Sequence, residues 1–137
     1  MSRHGYVDEG ELDWLQFGRW QGAVRSAIRG KRGQAFLREM IEALDTMPEK
    51  KLYPSVLIGD DGETCAMGCV LAKRGTDTTG VDPEEPDDVA KVTGLASAMV
   101  REIAYENDES GAYQETSEAR WARMRHWAES KLKKVGG

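Results

Sequence analysis

The chain is poor in the residues that most often carry chemistry. Its 137 positions hold two histidines, His4 and His126, and two cysteines, Cys65 and Cys69. A structural zinc site draws on four ligands and a catalytic one on three, usually in paired short spacings. The cysteines supply two, and neither histidine stands at a partner spacing to them. Cys-x-x-x-Cys with no third cysteine is not an iron–sulfur pattern, nor the Cys-x-x-Cys of thiol oxidoreductases. On a helix, positions 65, 69 and 72 share a face, with Gly68 allowing close contact beside them. We therefore read both thiols as packed small hydrophobes, ahead of metal ligation or redox chemistry. No metal and no other cofactor is expected.

Long apolar runs are missing too. No stretch free of charged residues exceeds nine positions, which excludes a membrane-spanning helix. Met1 to Gly5 lack the apolar run of a secretory leader, and with the closely spaced thiols this points to a reducing cytoplasm. Nucleophilic catalysis would need a base, and only His126, between Arg125 and Trp127 on a basic helix, is available for it. The carboxylates around Asp82 to Asp88 suit turns and helix caps better than acid–base work. Gly30-Lys31-Arg32-Gly33 lacks the spacing and the Lys-Ser/Thr ending of a phosphate-binding loop. No catalytic residue is assigned, and the chain is read as non-enzymatic.

What is present is enough for one helical domain. Hydrophobic residues make up 39% of the chain, with four Trp, four Tyr and two Phe. A chain of this length buries about 68% of its unfolded surface. Residues 1–10 read as a loose polar segment, and 11–134 as a single domain. Phe17, Trp20, Val24, Ala27 and Ile28 mark one face of a helix over 11–29. Gly18 and Gly22 interrupt it at a cost of about 1 kcal/mol each, which suggests a second backbone close against them. Gly30 reads as its left-handed terminator, and a loop through Gly33 leads to the next helix. There Phe36, Leu37, Met40, Ile41, Leu44 and Met47 form the cleanest amphipathic stripe in the chain, up to Pro48.

Val56-Leu57-Ile58 and Glu63-Thr64-Cys65 flank an Asp-Gly pair, the signature of a two-stranded β-hairpin. A short helix over 65–74 follows, with Thr64 as its cap and Gly75 past its end. Asp82-Pro83-Glu84-Glu85 opens a longer helix whose buried side runs from Val89 to Ile103, broken at 106–111. Thr116 or Ser117 caps the last helix, aligned by Trp121, Met124, Ala128 and Leu132. The expected fold is mainly α, with four longer helices, one short helix and a small hairpin.

The net charge of −5 is unevenly spread. Between Trp14 and Arg38 there are six basic residues and no acid; from Asp77 to Asp88 there are six acids and no base. Arg25, Arg29, Lys31 and Arg32 are the candidates for phosphate or partner contact. Asp82, Glu84 and Glu85 are candidates for entering a site meant for nucleic acid. Trp127 beside Arg120 and Arg123 is read either as core-edge packing or as an exposed Trp–Arg contact surface, and Trp14 beside Gly18 likewise.

The runs GRWQGAVRSAIRGKRGQAFLREMIEALDTMPEKKL, GETCAMGCVLAKRG, ENDE and ETSEARWARMRHW resemble a group of short uncharacterised proteins from phage and prophage regions. The likeness rests mainly on Ala27 through Asp45, then on Cys65 and Gly68. Where that group often has Pro after the Thr of the last helix cap, this chain has Ser117, which leaves the cap intact. The resemblance implies a phage accessory gene and carries no catalytic residues across. Together these features lead us to expect a small interaction protein, monomer or homodimer, that inhibits host defence by protein–protein contact. The partner would be a host protein or ribonucleoprotein complex such as a CRISPR–Cas assembly. A nucleic-acid binder using the Arg25–Arg38 region is the second expectation, and an enzyme of unrecognised type the third.

Overall fold

The computed structural model describes residues 3–4 and 14–133. These form six helices: α1 (Trp14–Arg29), α2 (Lys31–Thr46), α3 (Ala66–Arg74), α4 (Pro86–Thr93), α5 (Ser97–Asp108) and α6 (Ser117–Lys131). The amphipathic stripe of α2 makes it the central element. Phe36, Leu37, Met40, Ala43 and Leu44 are buried, and the helix packs against α1, α3 and α6. α5 packs against α1 and α4. No described helix is long and apolar enough to cross a membrane.

The corner between α1 and α2 is tighter than the sequence suggests. Gly30 is not left-handed: at φ −67 and ψ 166 it is extended and serves as the N-cap of α2. Lys31, Arg32 and Gly33 are therefore the first turn of α2, and the connection is a single residue. The cause lies at Gly33, where a Cβ would stand 2.0 Å from the Ala27 carbonyl oxygen. Only glycine lets the two backbones meet there. Among the described residues the close approach expected at Gly18 and Gly22 is absent, since a Cβ at either would meet nothing within 4 Å.

The expected β-hairpin does not form. Among the described residues there is no strand, and one isolated antiparallel bridge joins Ile58 to Thr64. The turn itself is present, with Gly62 at φ 83 and the Gly59 N–H donating to the Glu63 carbonyl at 2.8 Å. Extension into a ladder fails because the second arm is used otherwise. The Thr64 carbonyl accepts from Tyr53 N–H, and Cys65 already caps α3. The cap is thus Cys65 and not Thr64, its Sγ accepting from the Gly68 N–H at 3.4 Å. Gly75 ends α3 in the left-handed region at φ 72, as its position suggests.

The helix expected to run on to Ile103 is two. Gly94, at φ 79, ends α4, and Thr93 stabilises the break: its hydroxyl donates to the Val89 carbonyl and accepts from Leu95 N–H. Asp82 shapes a turn before α4, accepting from Glu84 N–H at 2.9 Å, and regular turns begin at Pro86. Nor does 106–108 break α5, because Asn107 points inward and is fully buried. Thr116 caps α6, accepting from Ala119 N–H at 3.1 Å.

Candidate functional site

Three groups of residues carry chemical potential, and the structure gives each a different part. The thiols are inside. Cys65 is 0% and Cys69 5% exposed, and the Cys69 thiol donates to the Ala66 carbonyl. Burial, with Cys65 close by, pushes the Cys69 thiol up to about 12. Among the described residues no group of three or more His, Cys, Asp or Glu could hold a metal ion. A thiol-specific disulfide reagent at pH 8 should therefore label neither cysteine in the folded protein and both in denaturant. Rapid labelling of one thiol without denaturant would contradict this arrangement.

Cys65 has a partner the sequence does not announce. Arg3, from the segment read as loose, is 5% exposed and donates to Cys65 Sγ, to the Val56 carbonyl and, through two nitrogens, to Asp108 at 2.6 and 2.7 Å. Beside it His4 Nε2 lies 2.9 Å from Glu109 Oε2, and its ring meets Tyr105 edge-on. Residues 3 and 4 are docked rather than loose; the rest of 1–10 lies outside the described residues.

Trp127, Arg120 and Arg123 form no exposed surface. Trp127 is 8% exposed within the core cluster. Arg120 is buried, with Nε donating to the Asn107 carbonyl at 2.8 Å, and Arg123 is bound to Glu115 and to the carbonyls of Glu106 and Asn107. Glu115 between them holds a proton less readily than a free glutamate, chiefly through its hydrogen bond from Arg123. Both arginines fasten α6 to the end of α5. His126 is exposed, as are Asp82, Glu84 and Glu85 in the turn before α4. The side chain of Trp14 lies outside the described residues.

The basic residues divide into two pairs. Lys31 and Arg32 border a small hollow beside Leu95, Ala96 and Met99. Arg25 and Arg29 lie on the other side of the corner, in a cleft of about 450 Å³ between α1 and the end of α6. Lys131 and Lys133 line its opposite wall; Val24, Ile28, Leu132 and the half-buried Trp20 give it apolar lining, and Glu102 is the one acid lining it among the described residues. None of these four cations forms an ion pair among the described residues, whereas Arg74, Arg120, Arg123 and Arg125 each face a carboxylate.

Gln34 builds this cleft. Its buried amide donates to the carbonyls of Ile28 at 2.8 Å and Lys131 at 3.0 Å, while its oxygen accepts from Lys133 N–H at 2.9 Å. One side chain thus ties the last turn of α1 to the last turn of α6 and fixes the distance between the walls. A glutamine before an apolar stripe reads as solvent-facing, so periodicity alone passes over it.

No family relationship emerges. No protein-family model matches the chain, and neither a curated protein nor a solved structure gives a significant match. The cleft brings predicted contact residues, Arg25 and Arg29, together with two further cations on a concave surface.

Proposed function

We propose that this chain is a non-enzymatic accessory protein that binds a macromolecule of a bacterial host, in the manner of a phage inhibitor acting on a defence complex. The observation that carries the reading is the separation of charge. Four cations with no carboxylate partner among the described residues line one cleft, while Asp82, Glu84 and Glu85 are exposed in the turn before α4. Surfaces of opposed sign steer encounter with complementary partners and fix their orientation. With Trp127 and Arg120 buried and Arg123 held by Glu115, the cleft is the basic surface that supports this reading.

Affinity capture from host lysate, at low and at high salt, tests this. The unaltered chain is expected to retain a partner at low salt and release it at high salt. Arg25→Glu with Arg29→Glu should lower recovery roughly tenfold or more. Asp82→Lys with Glu84→Lys and Glu85→Lys reports on the acidic surface. Identical recoveries from all three proteins at both salt concentrations would defeat the reading.

A further inference from the structure

We propose that the cleft between α1 and the end of α6 seats the phosphate backbone of a single-stranded nucleic acid. The inference rests on the reading above and names the chemistry that the basic surface recognises. Arg25 and Arg29 stand one helical turn apart on one wall, separated by about 6 Å along the axis. Lys131 and Lys133 face them from the other wall, so a strand lying between would be neutralised on both sides. Arginine suits this role because its planar fork pairs with phosphate oxygens through two hydrogen bonds.

Helix C-termini carry partial negative charge, and a cation in the last turn offsets it. That accounts for Arg29 on α1 and Lys131 on α6. It does not account for Arg25, a full turn earlier, or for Lys133, past the helix end. Gln34 also takes up the carbonyls of Ile28 and Lys131, which would otherwise turn negative oxygens toward an anion.

Two features favour nucleic acid over an acidic polypeptide. Trp20, Val24, Ile28 and Leu132 offer an aromatic and apolar bed for a base or sugar, the pairing of basic groove and aromatic ring that single-strand sites use. Glu102 would repel an acidic side chain set beside it, whereas a nucleic acid can turn an uncharged base or sugar toward that part of the lining. The volume suits a nucleotide-sized unit rather than a duplex. Lys31 and Arg32, just past Gly30 and both exposed, continue the positive strip around the corner.

Fluorescence anisotropy of the full chain tests the proposal, with labelled 12-nucleotide oligo-dT and oligo-U, a 12-base-pair duplex and a polyglutamate peptide as probes. The single strands are expected to bind, and four phosphate contacts imply a loss of about 50-fold in affinity between about 50 and about 200 mM salt. Arg25→Glu with Arg29→Glu should weaken binding at least tenfold. The control pair Lys73→Glu with Lys91→Glu, both exposed and outside the cleft, should change it less than about twofold. All four positions are exposed, and thermal melts confirm that each variant folds. Absence of single-strand binding at low salt, equal binding by the cleft variant, or binding of polyglutamate as tight as that of the oligonucleotides would each overturn the proposal. Salt-dependent capture of a host partner through the cleft, with no oligonucleotide binding, would remove the nucleic acid and leave the interaction reading standing.

Discussion

Asp108→Ala is expected to destabilise the protein by about 3–5 kcal/mol, the usual cost of removing one member of a buried ion pair. The side chains of Arg3 and Asp108 are 3% and 6% exposed, so the pair has little water to fall back on. Asp108 also accepts from Ser55 N–H at 3.0 Å and from the Asn107 amide at 2.9 Å. Its removal leaves the guanidinium, a backbone donor and an amide donor unanswered. Asn107 is itself fully buried: its oxygen accepts from the first N–H of α3 and its amide donates to the Tyr53 carbonyl. The carboxylate thus stands where α3, the end of α5 and the 47–65 segment meet. A melting temperature lower by on the order of 10–20 °C is the expected result.

Arg3→Met should cost less, about 1–3 kcal/mol. The carboxylate would keep its bonds to Ser55 and Asn107. It should also make Cys65 reachable by thiol reagents, because Arg3 covers the Sγ at 3.4 Å. If both substitutions leave the melting temperature unchanged, the pair contributes nothing to folding. Acid should reproduce part of the effect. Burial works to raise the Asp108 carboxyl, but the hydrogen bond and charge of Arg3, with Asn107 and Ser55, hold it below the usual aspartate value. Such a group stabilises the fold above its unfolded value of about 3.9, and that contribution is lost as pH falls through the folded value. Asp108→Asn should flatten the stability profile below about pH 4.

The parts of this fold that could be read from sequence are those in which one local rule acts alone. The 3.6-residue stripe from Phe36 to Met47 gives α2, Thr116 caps α6, and Gly75 ends α3. Reading failed where a tertiary contact decides between two meanings of the same residue. Gly94 lies within the apolar series Val89 to Ile103, and a glycine there fits a continuous helix as well as a left-handed end. Gly30 is the extended cap of α2 rather than a left-handed end, and Gly33 lies inside that helix rather than in a loop, because Gly33 must meet the Ala27 carbonyl. The Asp-Gly turn is real, yet Thr64 and Cys65 are claimed by Tyr53 and α3 before a ladder can grow. Charge left a similar choice open. Arg120 and Arg123, beside Trp127, fit a core edge or an exposed surface on charge alone, and Glu115 and the α5 carbonyls decide for the core edge. Half of the cleft, Arg25 and Arg29, was visible as a charge run; its other half depends on Gln34, whose partners are 97 and 99 residues away in sequence.

Two glycines inside helices should respond to alanine with opposite signs. Alanine is intrinsically better than glycine in a helix by about 1 kcal/mol. At Gly22 a Cβ would meet nothing within 4 Å, so Gly22→Ala should raise stability by about 0.5–1 kcal/mol. At Gly68 the Cβ would lie 1.7 Å from the Leu57 carbonyl oxygen and 2.7 Å from its carbon. The obstacle is backbone, and Leu57 is itself buried at 4% exposure, so no side-chain rotation relieves it. Either α3 must move off the 57–64 turn or the turn must move off α3. Movement of α3 would disturb the Cys65 cap and the Asn107 bond to Ala66 N–H as well. The helix-propensity gain is too small to offset this, and Gly68→Ala should cost about 3 kcal/mol net. Urea melts of the two variants check both signs, with the denaturant slope unchanged. A Gly68→Ala protein as stable as the parent would mean that the turn does not rest on α3 as described, and the cap at Cys65 would have to be placed anew.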